Sequence, residues 1–166
     1  SSRFEARTSI SGEQILYEEQ NKDLWNEELI EQGNYFLIES AKGQDITKYH
    51  LEASIAYWHC TRIENPAKWE NILQLYNQLL QIEYSPMAAL NRTYALSKVH
   101  GKEIALEEAL KLDLNDNHFY HSLLGNLYTG IDNSKAFLHY EIACKSAKSA
   151  SDKSTILSKL KKLKTS

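Results

Sequence analysis

Between Trp69 and Gly101 the chain reads WENILQLYNQLLQIEYSPMAALNRTYALSKVHG: an apolar stripe, a Ser-Pro, a second apolar stripe and a glycine. Trp69, Ile72, Leu73, Tyr76, Leu79 and Leu80 stand at offsets 0, 3, 4, 7, 10 and 11, which puts all six on one face of a helix. Ser85 offers a capping hydroxyl, and Pro86 suits the first helical position, where no amide donor is needed. The second helix then runs to about Val99 and stops at Gly101. Two such helices with so short a link must lie side by side and antiparallel.

The same grammar recurs along the chain. Helices are expected over about 22–42, stopped by Gly43, and about 47–62, with Leu51, Ser54, Ile55 and Trp58 inward. Asn65-Pro66 starts the Trp69 helix. A helix is expected over 102–112, another over about 119–129, capped by the Asn115-Asp116-Asn117 cluster and closed by Gly130, and another over about 135–148 after Asp132-Asn133-Ser134. Asp152 is expected to start a last helix with Ile156, Leu157, Leu160 and Leu163 inside. Only 2 prolines and 6 glycines interrupt the 166 residues. Gly125 falls inside a helix, where it costs about 1 kcal/mol against alanine, so a close-packing reason is expected. Leu124-Gly125..Tyr128 followed by Ala136...Tyr140..Ala143 resembles a tetratricopeptide repeat. The expected fold is therefore all-α, with antiparallel helical hairpins stacked as a degenerate tetratricopeptide-like right-handed solenoid. Residues 1–20 read as an irregular segment joining to upstream domains, and 21–166 as the helical domain.

Composition excludes several classes. No apolar run reaches about 18 residues, so no membrane partner is expected. Cys60 and Cys144 read as small buried hydrophobes of a reducing cytoplasm. The net charge of −3 conceals an asymmetry. Residues 145–166 hold seven lysines and one acid, Asp152, a balance of +6 that leaves −9 on residues 1–144. A solvated lysine face is the plainer reading of that tail; weak contact of Lys153, Lys159, Lys161, Lys162 and Lys164 with DNA is the other.

No catalytic residues, metal or cofactor are expected. His118 and His121 can share a helix face, with His139 following, but no acid or cysteine completes a ligand motif. His59 and Cys60 are helix neighbours that point about 100° apart, which does not suit a thiol–imidazole pair. Glu18-Glu19 and Glu27-Glu28 sit in charged surface runs. Asn91-Arg92 is more interesting: an arginine inside an amphipathic helix can clamp a carboxylate, with Glu52 a candidate internal partner. Trp25 stands beside the polar cluster Glu19-Gln20-Asn21-Lys22-Asp23.

Several blocks taken together resemble one family. Ser2-Arg3-Phe4-Glu5-Ala6-Arg7 is similar to an SR.EAR-type segment. Gln20 and Trp25 fit a DQDRS.WD-type motif, with Asn21 and Lys22 in place of its acid and arginine. Ile30-Glu31-Gln32-Gly33 resembles an I.EG stretch, and residues 49–59 a Y.L.AAIA..H block. Trp69, Ile72, Leu75, Tyr76 and Leu79 match W..I..LY..L, and Ser85-Pro86, Leu90-Asn91-Arg92 and Tyr94-Ala95 match SP...LNRA.A. These blocks, in this order, resemble the C-terminal tetratricopeptide-like extension of extracytoplasmic-function sigma factors of bacterial RNA polymerase. The resemblance implies a regulatory, protein-interaction domain that modulates transcription initiation. Its expected partners are the upstream sigma-factor domains of the same full-length chain and the RNA polymerase core, with DNA bound only through those upstream domains. The expected contact surface is Gln20, Trp25, Tyr49, Glu52, His59, Asn91 and Arg92. The alternatives are a free-standing tetratricopeptide-like peptide-binding scaffold and, with less support, a helical enzyme.

Overall fold

The computed structural model describes residues 47–60 and 66–165. The expected helix over 22–42, the irregular segment 1–20 and the Asn65 cap lie outside the described residues. Within them the chain forms seven helices and no strand: α1 Lys48–Cys60, α2 Pro66–Ile82, α3 Pro86–His100, α4 Lys102–Leu110, α5 His118–Tyr128, α6 Asn133–Ser146 and α7 Ala150–Lys164.

Local chemistry sets the boundaries. Ser85 sits in extended backbone and its side chain accepts the Ala88 amide at 3.1 Å, with Pro86 at the first helical position. Asn117 accepts the Phe119 amide at 2.9 Å to open α5, and Asp132 accepts the Lys135 amide at 3.1 Å to open α6. Gly101 links α3 to α4 alone, at φ 92°, a conformation that a side chain would strain. Helix α4 ends at Leu110, two residues earlier than its pattern suggests. The Lys111 and Leu112 amides turn to the Glu108 and Ala109 carbonyls three residues back, which tightens the chain into a turn. Helix α7 is capped by Ser149, which accepts the Asp152 amide at 3.0 Å, so Asp152 stands in the first turn instead of before it.

Each helix packs on the next in the chain, and α3 also touches α5. Paired residues show the antiparallel sense. Lys48 pairs with Glu83 and His59 meets Trp69 edge-on, so α1 ascends as α2 descends. The same holds for Trp69–Tyr94 and Asn77–Arg92 between α2 and α3, and for Tyr140–Lys159 and Phe137–Lys164 between α6 and α7.

The main core runs from Leu51 and Ile55 through Ile72, Leu73, Tyr76 and Leu79 to Leu90, Ala95, Leu123, Leu124, Leu127 and Ala136. A second cluster, Tyr140, Ala143, Ala147, Ile156 and Leu160, fixes α7 to α6. Gly125 is the contact point of α5 with α6. A Cβ there would stand 2.7 Å from the Tyr140 ring, so the helices approach through the missing side chain. Two inward assignments change. Leu157 is 47% exposed, because Asp152, Ile156, Leu160 and Leu163 form the inner stripe of α7 and residue 157 lies about 100° away from it. On α1 the fully buried row is Leu51, Ile55 and His59, and Trp58 packs at its edge.

Candidate partner-binding surface

Trp69 joins three helices. Its ring meets His59 of α1 edge-on at 5.9 Å and Tyr94 of α3 edge-on at 5.7 Å. Lys98 lies over both rings, 5.9 Å from Trp69 and 5.1 Å from Tyr94, and Lys68 lies 5.8 Å from Trp69. Such cation–aromatic contacts hold long side chains against the surface and limit their freedom. Lys68 is only 2% exposed, a burial that its charge alone does not foretell.

The expected contact residues separate by depth. Gln20 and Trp25 lie outside the described residues. His59 and Asn91 are buried, at 7% and 8% exposure, because each stands on an apolar row of its helix. They pack within the fold and leave little surface open. Arg92 is half-buried, and its Nε–H donates to Asn77 Oδ1 at 2.7 Å. Its internal partner is thus an amide on α2 and not Glu52, which is half-buried on α1. Tyr49 alone of the described set is widely open, at 77% exposure.

Beside Tyr49 in the chain lies an ion pair that sequence reasoning missed. The Lys48–Glu83 ion pair joins the first turn of α1 to the end of α2. The Glu83 carboxylate, hydrogen-bonded to it, holds the Lys48 ammonium above its ordinary range. Tyr49, Ile82 and Tyr84 flank this pair along the chain, the last two 52% and 60% exposed. The available signal was negative: Ile82 and Tyr84 are apolar residues that fall off the buried stripe of α2. Exposed rings with a polar edge are the groups that protein partners use most as anchors.

The histidines form two separate arrangements. His121 Nε2–H donates to the Asn115 carbonyl at 2.8 Å, which leaves its Nδ1 to accept from His139 Nδ1–H at 3.0 Å. Burial, then the nearby His121 and Lys135, lowers the His139 pKa from its ordinary value. His118 instead faces Asp152 across 3.7 Å. Beside it an open groove of about 730 Å³ runs between the starts of α3 and α5, lined by Asp113, Asp116 and Lys148 among others. Among the described residues no three metal-ligating side chains come together. No helix among them is long and apolar enough to cross a membrane. The two thiols, Cys60 and Cys144, are half-buried and not joined in a disulfide.

Comparison with known proteins adds two findings. Residues 1–41, the segment that holds Gln20 and Trp25, match a family of unknown function (DUF6596). An uncharacterized protein of Rhizobium meliloti (strain 1021) is 35% identical over 130 residues, which is 76% of this chain and 30% of that protein. The chain therefore spans under a third of this relative's length. No solved structure matches.

Proposed function

We propose that this chain is the regulatory, protein-interaction domain of a bacterial extracytoplasmic-function sigma factor, with its hairpins stacked as a degenerate tetratricopeptide-like right-handed solenoid. The observation that carries the reading is the order and placement of its blocks. The W..I..LY..L block is α2 and the SP...LNR block is α3, and the two pack as one antiparallel hairpin joined by Asn77 and Arg92. Chain-neighbour packing from α1 to α7 supports the stacked arrangement. The alignment to part of a much longer relative supports a role as one module among several.

The physical mechanism is a two-state dock. The helical domain packs against the upstream domains or the polymerase core, and a signal shifts that balance through its differential affinity for the two states. Tyr49, Ile82 and Tyr84 are the contact among the described residues. Immunoprecipitation from the native bacterium, with antibody to this chain, tests the reading. Recovery of a polypeptide longer by two domains of about 100 residues each, together with the polymerase core subunits, is expected. Recovery of the chain at its own size, free of polymerase, overturns it.

A further inference from the structure

The last helix has an acid-free outer face. Residues 145–166 carry seven lysines and the single acid Asp152. The fold turns that acid inward: Asp152 is 3% exposed and faces His118 of α5. Two lysines are drawn back onto α6, Lys159 over the Tyr140 ring and Lys164 over the Phe137 ring. Lys153 and Lys161 point the other way. They flank a shallow surface hollow of α7 whose remaining lining includes Ser154, Leu157 and Ser158. Lys148, just before the first turn, lines the groove with Asp113 and Asp116 instead and is not part of this face.

We propose that this face of α7 binds the phosphate backbone of duplex DNA without regard to sequence. The inference concerns α7 alone and does not depend on the sigma-factor reading. Lysines give point charges to phosphate oxygens, and serine hydroxyls between them add hydrogen-bond donors at close approach. Lys161 stands eight positions after Lys153. That is about 12 Å of helix axis, comparable with the width of the major groove, a spacing that suits phosphates on its two sides. A lipid surface fits less well. A helix lying in a membrane interface needs a broad free apolar face, whereas Ile156, Leu160 and Leu163 of α7 are spent on the core and Leu157 stands alone among polar neighbours.

The test is fluorescence anisotropy of a labelled random duplex of about 30 base pairs with the whole chain, across about 50 to 200 mM salt. With two to three phosphates neutralised, affinity is expected to fall about 12- to 40-fold over that range. The double variant Lys153→Gln, Lys161→Gln is expected to weaken binding at low salt and to lower the log–log salt slope by about 2. Both lysines are exposed, and matched circular-dichroism melts confirm that the variant folds. Absence of binding at the lowest salt overturns the proposal, as does a variant with unchanged affinity and slope. Equal competition by polyglutamate, or binding to phosphatidylserine vesicles with none to DNA, overturns it in favour of an acidic protein or a lipid surface.

Discussion

Replacing Gly125 with alanine tests whether the α5–α6 contact is as close as it stands. In an exposed helix interior this change stabilises by about 1 kcal/mol. Here the new methyl meets three atoms of one ring, Tyr140 Cδ1 at 2.7 Å and Cε1 and Cγ at 2.8 Å. The ring cannot swing away freely. Tyr140 is 3% exposed, packs with Ala143, Ile156 and Leu160, and carries Lys159 across its face. Overpacking of this kind costs about 1–3 kcal/mol, which exceeds the helix gain, so a net loss of about 1 kcal/mol is expected. In a chain of this size that is a drop of about 2–4 °C in melting temperature.

The assay is urea unfolding followed by circular dichroism, on Gly125→Ala, Tyr140→Leu and the double variant. Tyr140→Leu opens the space that the methyl needs, so the double variant is expected to be more stable than the sum of the single changes by about 1–2 kcal/mol. A stabilised Gly125→Ala protein, or strict additivity in the cycle, would refute the reasoning: the helices would then be separated enough for a side chain.

Ser85→Ala removes the acceptor for the Ala88 amide and is expected to cost about 1 kcal/mol, read as a lower urea midpoint with an unchanged slope. For His139 the sign follows from its lowered value. Below its ordinary pKa of 6.5 the unfolded chain takes up a proton that the folded chain resists, so the stabilising contribution is complete above that pH. It is lost as pH falls through the folded value. His139→Gln is expected to flatten this part of the stability–pH curve in thermal melts between about pH 7 and pH 5, and an unchanged curve counts against the lowering of the His139 pKa by burial.

Most of the architecture was legible because it is written in local chemistry. The six-residue stripe of α2, the Ser85-Pro86 start, the Asn117 and Asp132 caps and the stop at Gly101 each act within one or two turns. Gly125 was legible for a different reason: a residue that costs helix stability needs a compensating approach, and the Tyr140 ring is that approach. The end of α4 was less legible, because Leu112 and Leu114 continue the apolar pattern while packing from a turn.

The candidate surface was harder to read, and the reasons are physical. Arg92 invites pairing with a charge by its chemistry, but which acceptor it meets depends on the register of α2 against α3, and that register presents Asn77. His59 and Asn91 are polar by type yet lie on rows otherwise filled by leucine, isoleucine and alanine, so position overrides composition and buries them. Ile82 and Tyr84 show the converse: apolar by type, they lie beyond the stripe and stay open. Burial in a helical array follows the angle around the axis more closely than the hydrophobicity of the residue, so a partner surface is best sought among apolar side chains at the wrong angle. By that criterion Tyr49, Ile82 and Tyr84, which flank the Lys48–Glu83 ion pair along the chain, are the described side chains best suited to an incoming protein.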